Sequence, residues 1–461
     1  DHGRTTEGPR KDHGMAQTMN GQQIFRLMLG VAVTLGAAAF ARAQSAPVRL
    51  TLDETMARGL QTSHQLAELA ARTDQWQAVV QMNDAADRPQ VTAIAGYTRT
   101  NHVDEFGIQQ PGQPPRIIYP DVPDNYRTRL DLQWPIYTGG RTDALLRAAR
   151  AEAAASGEDL STARADLRLE ITRAFWAVVT SNEAVHVLEE SLRRVEAHLT
   201  DVRNRLAVGL VPPNDVLSAE AHRSRQEGLF IDARMRRDSA LADLARLVGL
   251  AADTAITLDV ALTPAAAPAE SPSALAEQAR AERPERRASA QRIAATGARR
   301  EAAATGTKPQ MSVVGGVDYA NPNPRIFPRA DEWQGSWDAG VTVAWSLWDG
   351  GRVKAQVAET AAAERAFRER LLDLDTRIEV DVRQRGLELE SSLAAIRAAE
   401  DGVRSATEAR RVVTDRFNAG VATSTDVLDA QTDLLTAELE RTRTLANSRL
   451  AEARLARALG R

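Results

Sequence analysis

The chain writes the same junction twice. "QWPIYTGGRTDALLRAA" begins at Gln133 and "AWSLWDGGRVKAQVAET" at Ala344. Each is an apolar, aromatic run that ends in Gly-Gly-Arg and passes into an alanine-rich stretch. Trp134 and Trp345 stand 211 positions apart. The same interval relates "RLAVGLVPPNDVLSAE" (Arg205–Glu220) to "RFNAGVATSTDVLDAQ" (Arg416–Gln431), pairing Gly209 with Gly420, Asp215 with Asp426 and Leu217 with Leu428. Upstream, "RPQVTAIAGY" from Arg88 faces "KPQMSVVGGV" from Lys308, offset by 220. The difference falls in the loop between the two strands of each half, where length varies most freely. A tandem duplication confines the fold to two copies of one supersecondary unit.

Each unit holds two alternating segments. In Tyr126–Ile136 one parity reads Tyr126, Thr128, Leu130, Leu132, Trp134, Ile136, and the other Arg127, Arg129, Asp131, Gln133. Trp337–Leu347 repeats the pattern; Val91–Thr100 and Met311–Tyr319 carry it more weakly. A period of two with one apolar and one polar face marks a strand. At about 10 residues each, all four have the length that crosses a bilayer when tilted. The loops between paired strands, His102–Asn125 and Asn321–Gly335, are rich in Pro, Gly and charge, and suit the outer side of such a barrel as long loops without a tight turn.

The rest reads as helix. Arg141–Val208 and Arg352–Asn418 contain no proline, and each would span roughly 100 Å at 1.5 Å per residue. After each comes a turn, with Gly209 and Gly420 as C-caps and Asn214 or Thr425 as the next N-cap. The returning helices, Asn214–Leu247 and Asp426–Gly460, are only half as long. Ser273–Lys308, kinked at Pro284, is expected to complete the first return, and Leu52–Arg88 the second. Val185, Leu188, Leu192, Val195, Leu199, Val202 and Leu206 form a heptad seam. The second half keeps it as Ile396, Ala399, Val403, Ala406, Arg410, Val413 and Phe417. An ordinary long helical hairpin would show the same seam; the accompanying strands argue for more.

Residues 19–43 carry Arg26, an apolar run Leu27–Phe40 and Ala41-Arg42-Ala43, the pattern of a secretory signal peptide whose cleavage leaves Gln44 first. Residues 1–14 read as upstream sequence. No later stretch is long and apolar enough for a membrane helix, so a membrane-bound mature chain must cross as strands. Expected domains are 1–43 (upstream residues and signal peptide), 44–250 (first repeat), 251–272 (a Pro/Ala-rich equatorial linker) and 273–461 (second repeat). Cysteine is absent, which excludes disulfides and thiolate chemistry. The formal charge of −4 argues against a nucleic-acid partner. The histidines (His64, His102, His186, His198, His222) lack metal-ligand spacing, and no phosphate loop, G-x-S-x-G or dinucleotide fingerprint occurs. No enzyme, cofactor or metal is expected.

Four strands cannot close a barrel, and open edges are not tolerated in lipid. Two chains would give eight strands, a barrel filled by its own side chains; three give twelve and an open lumen. The expected fold is mainly α with membrane β: long antiparallel hairpins form an α-barrel, and four strands per chain join a 12-stranded trimeric membrane β-barrel. Gly139-Gly140 and Gly350-Gly351 would be the strand-to-helix joints, with Pro89 and Pro309 on the ascending side. A secreted coiled-coil spacer without channel activity is the alternative.

"WPIYTGGR", "WSLWDGGR", "VGLVPPNDVLSAEAHR" and "FNAGVATSTDVLDAQTDLL" together resemble the TolC-type outer membrane efflux proteins. The resemblance covers essentially the whole chain after the leader. It implies a passive homotrimeric channel-tunnel in outer membrane lipid, its helical part in the periplasm. It further implies docking to a periplasmic adaptor and an inner-membrane transporter of RND, ABC or MFS type, in efflux or type I secretion. Asp426 and Asp429, i and i+3 on one helix face, match the family's acidic pair at the periplasmic gate; first-turn capping against the helix dipole explains them equally. Asp215 resembles the residue that ties neighbouring hairpins, but its expected polar partners fall on Phe417 and Ala422, leaving Arg416 as a substitute. Val208-Gly209-Leu210 and Ala419-Gly420-Val421 match the adaptor-contact tips, although cap geometry alone accounts for the glycines. The exported substrate is not legible.

Overall fold

The computed structural model describes residues 48–267 and 270–461; the signal-peptide expectation lies outside them. In chain order the elements are β1 (Val48–Leu50), α1 (Leu52–Thr62), α2 (His64–Asp84), β2 (Gln90–Arg99), β3 (Phe106–Ile108), β4 (Arg116–Tyr119), β5 (Asp124–Tyr137), α3 (Arg141–Ala207), α4 (Pro213–Leu247) and β6 (Ile256–Leu258). Then follow α5 (Pro272–Glu282), α6 (Pro284–Ala304), β7 (Gln310–Asn321), β8 (Gln334–Ala344), α7 (Arg352–Asn418) and α8 (Ser424–Ala458). The described chain divides into two units. The smaller comprises Val48 and Thr254–Thr257, where the Val48 amide donates to the Ala255 carbonyl (2.8 Å). All that follows concerns the larger unit, Arg49–Asp253 and Leu258–Arg461.

The sheet runs β2–β5–β7–β8, antiparallel throughout. Its register puts the two parities on opposite faces. Leu130 lies opposite Ala93 and Val317, and Arg129 opposite Ile94 and Asp318. The helices keep the order of the strands they adjoin, α2–α3–α6–α7, with α4 beside α3 and α8 between α3 and α7. Strands and helices thus form one ribbon whose two edges are β2 with α2 and β8 with α7.

The joints are built alike. Gly139 and Gly140 take φ of 67° and 90°, Gly350 and Gly351 of 68° and 88°. Two successive left-handed residues turn the strand sharply into a helix, a conformation that a side chain would strain. Beside each joint a tryptophan is pinned. Trp134 Nε1 donates to the Asp87 carbonyl (3.0 Å) and Trp345 Nε1 to the Thr307 carbonyl (2.9 Å).

Several expectations need correction. The strand expected over Trp337–Leu347 ends at Ala344, because its one neighbour, β7, begins at Gln310 opposite it. β5, paired with β2 as far as Gln133, runs on against β7 to Tyr137 past a bulge at Pro135. The loop 102–125 is not plain loop: β3 pairs with β4. Leu52–Arg88 is not one helix, since the backbone extends at Ser63 (ψ 114°), whose hydroxyl caps α2 at Leu66. A matching break stands at Arg283 (ψ 121°), just before Pro284. N-caps lie at Pro212 and Thr423 rather than Asn214 or Thr425, because Pro213 presets the helical φ at N1 and Thr423 Oγ1 accepts from the Asp426 amide.

The return columns also pair the other way. α4 ends beside the α1–α2 break: Arg58 Nε donates to the Val248 carbonyl (3.1 Å), and a Cβ on Gly249 would stand 2.8 Å from Thr62. α8 ends beside the α5–α6 break, where Arg283 Nε donates to the Ala458 carbonyl (2.5 Å). So α2 continues the column of α4, and α6 that of α8. An arginine at each break satisfies carbonyls that a helix end leaves unpaired.

Candidate channel wall and gate

Two regions carry the expected functional residues. At the sheet, the apolar face is exposed along its length: Val91, Tyr97, Tyr126, Leu130, Trp134, Val317, Tyr319, Trp337, Val341 and Val343. Tyr126 and Trp134 are eight positions apart on β5, about 27 Å along the strand. A tilt of about 40° shortens that to about 20 Å, near the ~25 Å apolar band that aromatic girdles flank in membrane barrels. The opposite face is charged. Arg127 Nε donates to Asp318 (2.7 Å), and Arg129 is ion-paired to Asp131, Asp318 and Asp338. Within one copy the sheet is open at β2 and β8.

At the far end lie the two tips. Gly209 and Gly420 have φ of 74° and 75°. The Leu210 amide reaches back to the Arg205 carbonyl and the Val421 amide to the Arg416 carbonyl (2.9 Å each), closing both long helices with the same left-handed turn. Val208, Leu210 and Val421 project with 69 %, 72 % and 63 % of their surface free, while Ala419 completes the second turn. Asp426 and Asp429 both lie on the exposed side of α8. Asp426 Oδ2 accepts from the Thr423 amide and hydroxyl (2.8 Å each), the reciprocal half of a capping box. Those hydrogen bonds, aided by the Arg416 charge, hold its carboxyl below the usual range. The cap and an ionised, outward-facing carboxylate therefore coexist. Pro89 and Pro309 directly precede β2 and β7.

Asp215 sits in the first turn of α4; among the described residues it makes no side-chain bond to the second hairpin, Arg416 included. Where polar partners were expected, Phe417 and Ala422 join Val202, Val211, Val216, Val413 and Val427 in an apolar cluster. The polar ties run through residues the sequence reading missed. Arg205 donates to the Phe417 carbonyl (3.3 Å) and to Asn418 Oδ1 (2.7 Å), its guanidinium 4.4 Å above the Phe417 ring. His198 Nε2 lies 2.9 Å from Ser424 Oγ. Burial pushes the His198 imidazole below its ordinary value, with nearby Arg205 and His222 adding to the push and Asp201 and Asp215 opposing it. A histidine within a heptad seam carried no signal separating this tie from ordinary packing.

The family model described as outer membrane efflux protein matches residues 56–250 and 275–461, both halves of the duplication. The chain belongs to that family. Outer membrane protein TolC of Vibrio cholerae serotype O1 is 25 % identical over 372 residues, covering 79 % of this chain and 80 % of TolC. Outer membrane efflux protein BepC of Brucella suis biovar 1 is 26 % identical over 340 residues, 68 % of each chain. Among solved structures, outer membrane protein VceC of Vibrio cholerae superposes with a TM-score of 0.73 over 89 % of this chain and 96 % of its own, at 20 % identity. The open-state MtrE outer membrane channel of Neisseria gonorrhoeae gives 0.72 over 89 % and 88 %, at 18 % identity. The family match makes this an outer membrane efflux protein, and the solved structures share its fold. Among the described residues no metal-binding cluster occurs, and no helix is long and apolar enough to cross a membrane.

Proposed function

We propose that three copies close into one duct, the exit conduit of an efflux or type I secretion assembly. The observation that carries this is the ribbon's pair of unfinished edges. Strand and helix stop on the same side at each end, β2 above α2 and β8 above α7, so one copy's β8 and α7 can meet the next copy's β2 and α2. Three copies supply twelve strands, enough for an open bore, whereas two would leave a filled barrel. The exposed apolar face then meets outer-membrane lipid, the charged face lines water, and the helical ribbon encloses a periplasmic tunnel. The coiled-coil spacer is disfavoured by that apolar face and its pinned tryptophans, which a secreted rod would not need.

At the tips, Asp426 and Asp429 would make stacked acidic rings at the inlet. They attract cations and repel one another, so bonds such as those of Arg205 and His198 hold the tip closed. Asp215, near the seam and without a side-chain hydrogen bond among the described residues, would engage a neighbouring copy. Val208-Gly209-Leu210 and Ala419-Gly420-Val421 offer small, apolar, exposed turns to a periplasmic adaptor. The duct itself is passive, and an inner-membrane pump supplies the energy. Detergent-purified protein should be a trimer by native mass spectrometry and conduct in planar bilayers with cation preference. A detergent-independent monomer would overturn the reading.

A further inference from the structure

We infer that the outer end of the sheet's charged face carries a subsite for an anionic group of the passing solute. This rests on the trimeric-duct reading, since only a closed sheet makes that face a lumen wall. The β7–β8 loop does not stand away from the sheet. Asp338 lies opposite Gly316, five positions before Asn321, or about 16 Å down the strand. Arg325, from the loop, nevertheless reaches Asp338 (2.7 Å). The buried Asn323 donates to the Gln334 carbonyl (2.9 Å) and to Ser336 Oγ (3.1 Å). Arg329 donates to the Tyr119 hydroxyl (2.7 Å) and Asn125 Oδ1 (3.2 Å). The loop is thus strapped back across the charged face, fastened at both sides.

Beneath the strap lies a cleft of about 410 Å³, whose lining includes Arg127, Arg129, Arg329, Thr98, Asn125 and Asp131. Its charges are unequally committed. Asp318 is 2 % exposed and spent on Arg127 and Arg129. Arg129, lying against Gly316 where a Cβ would stand 2.4 Å from Nη2, is spread over three carboxylates. Arg127 gives only Nε to Asp318, and half its side chain is exposed. Arg329 bonds only neutral acceptors, the Tyr119 hydroxyl and Asn125 Oδ1, and pairs with no carboxylate among the described residues. Two planar guanidiniums, one half-exposed and one without a carboxylate, therefore line a cleft whose carboxylates already have partners. That is the chemistry that takes a carboxylate, sulfonate or phosphate group. In the trimer it makes three cationic subsites at the outlet, opposite in sign to the acidic inlet.

Citrate tests this with the full trimer in planar bilayers. Added from the loop side, it should block conductance at lower concentration than from the tip side. Arg127→Gln with Arg329→Gln should raise the half-blocking concentration by about a hundredfold, the loss of two charge-assisted bonds. Arg329→Gln alone, which leaves the Asp318 pairs intact, should shift it by about tenfold, so the test survives if the double variant fails to assemble. Arg99→Gln, on the opposite face and paired with Asp124 (2.9 Å), should leave block unchanged. A conducting trimer that citrate does not block, or block untouched by the Arg127 and Arg329 variants, overturns the subsite alone. Absence of any conducting trimer overturns the duct and the subsite together.

Discussion

α3 and α7 are both 67 residues long and begin at equivalent joints, yet twenty-one residues of α3 are buried and only seven of α7. α3 lies mid-ribbon between α2, α4, α6 and α8, with Phe175, Ile171, Val178, Val195 and Val202 fully enclosed. α7 lies at the edge, with Leu372, Val380, Leu387 and Val412 in the open. The shorter helices repeat the contrast: fifteen buried residues in α8 against six in α4, the other edge. The joints differ likewise. A Cβ on Gly139 would stand 2.9 Å from Lys308 Cβ, while one on Gly350 would meet nothing within 4 Å. Duplication gave two similar units, and position in the ribbon decided which is complete alone. The edge copy keeps apolar surface exposed.

The largest effect tests the inner half of that contrast. Phe175→Ala empties a fully enclosed site and should cost about 3–5 kcal/mol, seen as loss of folded chain in detergent. The edge should behave differently. Val380→Glu with Leu387→Glu should leave far-UV circular dichroism intact yet abolish the trimer in native mass spectrometry. A stable trimer would mean that α7 does not face another copy. Next come the joints. Alanine at Gly139 or Gly350 meets a left-handed backbone costing about 1–2 kcal/mol, and Gly139→Ala adds the Lys308 contact. If closure brings the next copy's Arg88, the repeat partner of Lys308, against Gly350, the two variants should lower trimer melting temperature equally. A milder Gly350→Ala would place that edge in the open.

At the tip the effects are smaller. Thr423→Ala should cost about 1 kcal/mol of stability through the cap. Asp429→Asn should alter cation preference alone; selectivity unchanged in bilayers would remove it from the gate. His198 sets a pH dependence. Its folded value lies below the ordinary 6.5, so the unfolded or opened tip binds the proton more readily. The stabilising contribution is full above pH 6.5 and is lost as pH falls through the lower folded value. Protection factors for amide exchange across 418–426, taken relative to intrinsic rates, should fall as the pH drops below 6.5, and His198→Gln should flatten that response.

Much of this was legible in the residues. Period two gave strands because it sorts apolar and polar residues onto opposite faces, and the heptad seam gave long helices because it maps onto a buried stripe. Gly-Gly-Arg marked the joints because few residues tolerate left-handed backbone. What escaped reading depended on partners distant in sequence. Ser63 is a favoured N-cap residue, but serine also occurs inside helices, and Arg58, which meets the end of α4 beside the break, is distant from it in sequence. The tie from Arg205 to Asn418 is hidden among many arginines on solvated faces. The strap over Asp338 reads only as a proline-rich loop until the register of β7 and β8 is known.

The abutment of α4 on α2, and of α8 on α6, has a mechanical consequence. Alternate staves of the wall are single rods, and those between are two pieces butted end to end without a peptide bond across the gap. A rod resists bending along its whole length, whereas a butt joint yields at one point. In the duct proposed above, the tip half could therefore swivel about the equator while the strand half stays at rest, so motion at the proposed gate would not loosen the sheet's hold on lipid.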